Sequence, residues 1–106
     1  MSEAVVVIAR MHPQPGQAPA MIAAVEPVLQ AIHEEPGCEY YALHTAENGD
    51  VVIIEKWSTL ADFDAHRSGS PATLAVRTAR APFEAAPVTM ELLAPAPGGH
   101  PDRGAL

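Results

Sequence analysis

The stretch EYYALHTAENGDVVIIEKW, Glu39 to Trp57, decides the fold. Two extended runs, Glu39 to Ala46 and Val51 to Trp57, flank Asn48-Gly49. That dipeptide between strands is the strongest short-range hairpin signal, because a type I′ turn needs positive φ at both central residues. With Asn48 and Gly49 as those residues, Glu47 opposes Asp50, Ala46 opposes Val51, His44 opposes Ile53, Ala42 opposes Glu55 and Tyr40 opposes Trp57. Side chains alternate along a strand, so Tyr40, Ala42, His44, Ile53, Glu55 and Trp57 fall on one face. Tyr41, Leu43, Thr45, Val52, Ile54 and Lys56 fall on the other. A three-residue loop with a bulge would move this pairing by one residue and break up the first cluster.

Outward from the hairpin, the remaining elements follow from local signals. Val5-Val6-Val7-Ile8 is β-branched, which predicts a first strand over residues 3 to 11. His12-Pro13-Gln14-Pro15-Gly16 is expected to stop it, since proline cannot donate to a ladder. Between 18 and 35, Met21, Ile22, Val25, Val28, Leu29 and Ile32 recur at helical spacing. Pro27 sits inside that pattern and removes the bond to the Ala23 carbonyl, so a kink or local distortion is expected there. Pro36-Gly37 closes the segment.

Beyond Trp57, Thr59 and Asp62 resemble a capping box opening a short helix over Leu60 to Ser68. Ser70-Pro71 starts another, with a favourable N-cap and a proline in the first turn, running to about Arg80 before Pro82. Pro87 precedes a last strand, Val88 to Leu93. From Pro95 onward the composition gives no means of packing, so residues 95–106 read as a disordered tail behind a domain of residues 1–94. The order strand, helix, strand, strand, helix, strand is the ferredoxin-like α+β pattern, an antiparallel sheet with helices on one face. The uncovered face predicts a symmetric dimer in which two sheets stack.

Composition narrows the function classes. A chain of 106 residues is one domain on size grounds. Its net charge of −7 lacks the cationic surface that phosphate contacts or an anionic membrane need, so neither nucleic acid nor membrane is an expected partner. The hydrophobic fraction of 48% is rich in alanine and only 5% of residues are aromatic, which makes each aromatic worth placing. The single Cys38 excludes an intrachain disulfide and fits a reducing compartment. The longest apolar run, Ala4 to Ala9, is too short to span a bilayer and follows no basic segment. A soluble, cytoplasmic protein is the expectation.

Gly37-Cys38 followed by Tyr41 and Leu43, then Glu55-Lys56-Trp57, then His66 after Ala-Asp-Phe-Asp-Ala, resembles the antibiotic biosynthesis monooxygenase domain. The likeness spans about residues 3 to 94. That group belongs to the dimeric α+β barrel superfamily and includes small quinol monooxygenases. The resemblance implies a ferredoxin-like protomer paired into a barrel, with a pocket in each subunit. It also implies oxidation of a phenolic or quinol-type substrate by molecular oxygen with no cofactor. In such chemistry the enzyme polarises or deprotonates a hydroxyl, excludes water and holds the resulting anion near oxygen. A related branch degrades haem with a histidine on the second helical segment and an asparagine on the first strand. Here Arg67 to Val88 holds no histidine, the matching position falls at about Val76, and the strand reads Ala9-Arg10, so haem degradation is not expected.

Individual residues keep two readings each. His66 is the first candidate for an acid, base or orienting group, since imidazole titrates near neutrality; it can equally anchor its helix. Trp57 reads as core or as a platform for a substrate ring. Glu55, at the end of an apolar strand, calls for a basic partner, either in a structural ion pair or dimer contact or in a site. Tyr40 and His44 share its expected face, a polar patch that can line a pocket or sit in the dimer interface, and with Tyr41 they are candidate substrate-binding residues. Arg77 and Arg80 lie three positions apart and can hold an anionic substrate or developing phenolate, solvated surface being the ordinary alternative. Cys38 reads as a small buried residue, and the histidines and cysteine show no metal-ligand spacing. Two rivals to catalysis stand beside it. One is a binding or sensing dimer without turnover, and the other is an accessory subunit with a filled interior.

Overall fold

Strands β1 (Val5–Pro13), β2 (Cys38–Thr45), β3 (Val51–Trp57) and β4 (Glu84–Leu93) form one antiparallel sheet in the order β2-β3-β1-β4. Helices α1 (Ala18–Val25) and α2 (Leu29–His33) lie between β1 and β2, and α3 (Leu60–Arg67) and α4 (Pro71–Arg80) lie between β3 and β4. This is the ferredoxin-like α+β arrangement, seen in a computed structural model that describes residues 3–106. Met1 and Ser2, which the domain reading includes, lie outside the described residues.

The core forms where the helices meet one face of the sheet. Val7, Ala9, Met11, Val51, Ile53 and Trp57 from the strands are buried together with Met21, Val25, Ile32, Phe63 and Val76 from the helices. Each large apolar side chain fully removed from water contributes about 1.5–3 kcal/mol. Pro27 acts as the sequence predicts. A 3₁₀ turn over Glu26–Val28 interrupts the helix, yet Val25 (φ −83, ψ −34) and Leu29 (φ −58, ψ −42) stay right-handed on either side. Both expected caps form: Thr59 Oγ1 accepts from the Asp62 amide at 3.0 Å, and Ser70 Oγ accepts from the Thr73 amide at 3.2 Å.

The hairpin differs from the expected one by a single residue. The pairs are Thr45↔Val51, Leu43↔Ile53, Tyr41↔Glu55 and Tyr40↔Lys56. The Gly49 amide donates to Ala46 O and the Ala46 amide to Asp50 O, which closes a three-residue loop, Glu47-Asn48-Gly49. Of these three residues only Gly49 has positive φ, at 92°, so the type I′ turn that needs two such residues does not form. The shift exchanges faces on β2. Tyr41 and Leu43 join Ile53, Glu55 and Trp57 against the helices, whereas Tyr40 and His44 lie on the opposite face with Val52, Ile54 and Lys56.

Prolines also end fewer strands than expected. β1 continues to Pro13 and β4 begins at Glu84, because the β1–β4 ladder shifts register between Arg10 and His12 and again before Pro13. Pro87 falls in that irregular stretch of an edge strand, where a missing N–H leaves no ladder bond unmade. After Leu93 the described chain forms only turns, closed by bonds from the Arg103 and Gly104 amides to His100 O. No helix among the described residues is long and apolar enough to cross a membrane.

Gly37 is a point where backbone and packing make the same demand. Its φ is 81°, and a Cβ there would lie 2.3 to 2.6 Å from side-chain atoms of Asp62. Asp62 has little room to retreat, since its Oδ2 accepts from Thr59 Oγ1 at 2.9 Å. Gly37→Ala is expected to destabilise by roughly 2–4 kcal/mol, combining the left-handed backbone cost with overpacking. An unchanged urea midpoint would sink that account.

Candidate functional site

Between the sheet and α3/α4 lies an open cavity of about 220 Å³. An apolar cavity of about 150 Å³ can hold benzene, so there is room here for a substituted aromatic ring. Its walls are Ala9, Ile53, Phe63, Val76, Val88 and Met90, and its polar groups come from four different elements.

Glu55 is the acid within it. The alternation of β3 places its side chain on the helix-facing side between Ile53 and Trp57, and it is only 2% exposed. The Trp57 indole N–H donates to its Oε1 at 2.9 Å, and the basic group within reach is the His66 imidazole, whose Nε2 lies 4.0 Å away. Burial raises the carboxyl to a pKa of about 7, against which the indole bond pulls down, and the nearby Glu35 charge adds to the rise. Such an acid exchanges its proton near neutral pH.

His66, from α3, stands over the indole with ring centroids 4.6 Å apart. Its Nδ1 donates to Glu35 Oε1 at 2.6 Å, and its Nε2 lies 4.0 Å from Glu55 Oε1. Thr73 fixes the ring from α4, its hydroxyl donating to His66 O at 2.8 Å and lying 3.2 Å from Nδ1. With Nδ1 committed to Glu35, Nε2 is the nitrogen left to face Glu55. One imidazole thus stands between a half-buried carboxylate on the helix side and a buried carboxyl in the cavity.

The remaining groups are cationic or phenolic. Arg67, Arg77 and Arg80 line the cavity, with Arg67 and Arg77 exposed at its rim. Tyr41 lines it too, and burial pushes its hydroxyl well above the usual range, so it stays a neutral donor. Cys38 is half-buried, and burial together with the Glu55 charge raises its thiol, which disfavours a thiolate nucleophile.

Of the residues singled out in the sequence, His66, Glu55, Tyr41, Arg77 and Arg80 line this cavity, and Trp57 lies directly behind it, bonded to Glu55 and stacked on His66. Tyr40 and His44 do not; the one-residue shift turns both to the far side of the sheet. Sequence reasoning missed Glu35 and Thr73. Glu35 comes after the last helical turn, where no periodicity assigns a face, while Thr73 carried a usable signal as the N3 residue of Ser70-Pro71-Ala72-Thr73. The other internal histidines have structural partners: His12 bridges Asp50 and Thr89, and His33 Nε2 donates to Tyr41 O.

The profile of the family described as antibiotic biosynthesis monooxygenase matches residues 4–78. The solved Mycobacterium tuberculosis protein Rv0793 is 29% identical with a TM-score of 0.78, covering 92% of this chain and 100% of its own. A Chloroflexus aurantiacus protein with a provisional antibiotic biosynthesis monooxygenase designation is 25% identical, TM-score 0.71, covering 92% of this chain and 97% of its own. Pseudomonas aeruginosa PA3566 is 23% identical, TM-score 0.74, over 89% of this chain and 95% of its own, a likeness that shows the fold alone. No curated protein matches the chain.

Proposed function

The chain belongs to the antibiotic biosynthesis monooxygenase family, and from that premise we propose that it oxidises a small phenolic or quinol-type substrate with molecular oxygen, using neither flavin nor metal. The observation that carries this reading is Glu55, a carboxyl buried in the lining of the cavity, where burial pushes its pKa up to about 7. A general base works best when its pKa lies near the operating pH.

In this scheme Glu55 takes the proton of the substrate hydroxyl and passes it to His66 Nε2. Glu35, bonded to Nδ1 at 2.6 Å, stabilises the imidazolium that results. The gap of 4.0 Å between Nε2 and Glu55 closes by a small side-chain rotation or through one water. The electron-rich phenolate then reduces oxygen itself. A ring carbon forms a C–O bond to O₂, its C–H proton leaves, and the O–O bond breaks, giving a quinone carbonyl and one water. The substrate supplies all the electrons, so the balance needs no second reductant.

Oxygen uptake by the pure protein with a panel of reduced quinols and phenols tests the proposal. Uptake above the buffer rate, with one quinone formed per oxygen consumed, is expected. A rise in melting temperature without turnover across the panel would favour a binding dimer instead.

The same reading pairs two copies through the outer sheet face, where Ile8, Ala42, Val52 and Ile54 are only partly covered. Ile54→Asp should convert a dimer into a folded monomer in sedimentation equilibrium, with its circular dichroism unchanged. A wild-type protein that sediments as a monomer at micromolar concentration would remove the dimer from the scheme. Cytoplasmic residence belongs to this proposal as well, and rests on the single unpaired Cys38.

A further inference from the structure

We propose that the ring bound in this cavity carries an anionic group, a carboxylate, held at the rim by Arg77. The charge distribution is the first ground. The chain has a net charge of −7 and only 6 Lys plus Arg, yet Arg67, Arg77 and Arg80 all line one cavity. An acidic surface repels anions at large, so a guanidinium at the cavity rim that no carboxylate neutralises both attracts and selects them.

The pairing of the three arginines is the second ground. Arg67 is engaged by Asp64 at 3.0 Å and lies over the Phe63 ring, 5.1 Å from its centroid. Arg80 is paired with Glu84. Arg77 has no carboxylate partner among the described residues. One of its terminal nitrogens donates to Arg67 O at 3.1 Å, which steadies the side chain and leaves the rest of the fork unused. A planar guanidinium fork without a carboxylate is matched in shape and charge by the carboxylate of a ligand.

The buried side of the cavity is different in kind. Glu55 is the only acidic residue in its lining and lies on the sheet floor, whereas Arg77 belongs to α4 at the solvent side. A ring with a hydroxyl at one end and a carboxylate at the other would be oriented by these two contacts. The inference deepens the proposed function by naming the substrate class, and its test is binding, which does not depend on turnover.

Calorimetric titration with matched pairs, hydroxybenzoates and hydroxynaphthoates against their neutral carboxamides, reads the preference directly. The acid of each pair is expected to bind about tenfold tighter or more, as for a charge-assisted bidentate bond, and to weaken as salt is raised. In Arg77→Ala and Arg77→Gln the acid-to-amide ratio should fall to near unity, and Arg77→Lys should recover only part of it. Melting curves of the variants control for folding. Equal affinity for acid and amide in the wild type, or an unchanged ratio in Arg77→Ala, overturns the proposal. Turnover of neutral quinols with no binding of any acid overturns it too, while leaving the monooxygenase reading intact. No binding or reaction in either series defeats both.

Discussion

Glu55→Gln should lower kcat/KM by roughly 10²–10⁴, the usual contribution of a positioned acid–base group, and should at the same time make the protein more stable. The stability sign follows from linkage. The carboxyl rises from an ordinary value of 4.5 to about 7 in the folded protein, so between those values the native state holds a proton that the unfolded state has lost. Folding stability therefore falls as pH climbs through this window, and the loss is complete above it, reaching about 3 kcal/mol. Glutamine keeps a carbonyl oxygen for the Trp57 indole N–H and has no charge to desolvate. Denaturation curves of the variant and wild type should converge near pH 4 and separate by up to about 3 kcal/mol near pH 9, the variant being the more stable. A variant as active as wild type would remove Glu55 from the proton path. A variant less stable at pH 9 would mean that burial of the carboxylate is compensated by groups outside this account.

That conflict between stability and proton chemistry is the kind of local inconsistency that marks a working site. An apolar residue in place of Glu55 would fit the burial pattern of β3, which otherwise places Val51, Ile53 and Trp57 on the helix face. The acid was legible in the sequence as an anomaly, and its neighbours were legible only in part. The register of one turn decided which. Asn48-Gly49 signals a hairpin in either loop length, and the choice between two and three loop residues turns on whether Asn48 takes positive φ, which it does not. From that single dihedral follows the exchange of Tyr41 for Tyr40 and of Leu43 for His44 on the cavity side. The fold was robust to this error because strand order depends on the hydrophobic runs, not on their register. The site was not robust, because a shift of one residue reverses every side chain on a strand.

Glu35 illustrates a different limit. It reaches His66 across 31 positions of sequence, from a segment that ends at Pro36-Gly37 and carries no periodic signal. What brings the two together is tertiary. The Gly37 carbonyl accepts from the Ser58 amide at 2.8 Å, and Gly37 packs tightly against Asp62 of α3. Helix α3 is thereby held to the chain that follows α2, and Glu35 comes within reach of the imidazole. The glycine that local rules read as a helix stop is also the contact that lets α3 approach closely enough to complete the Glu35–His66–Glu55 series.

Trp57 separates packing from proton chemistry. Trp57→Ala should cost about 3–5 kcal/mol, as expected when a fully buried indole is truncated. Against a typical domain stability of about 5–15 kcal/mol, that leaves a marginal fold and says nothing about mechanism. Trp57→Phe is the informative change, since it keeps an aromatic ring beneath His66 and deletes the N–H that donates to Glu55 at 2.9 Å. That bond lowers the Glu55 pKa, so its loss should raise the value further. The acid limb of the kcat/KM profile should move upward by roughly one pH unit, a shift in keeping with one hydrogen bond to a charged group. At neutral pH the variant should then be several-fold slower, and above about pH 9 it should regain most of the wild-type rate, because deprotonation there no longer depends on the indole. A uniform loss at every pH would assign Trp57 to packing alone. A displaced acid limb with the alkaline plateau intact would show the indole setting the proton affinity of the carboxyl it touches.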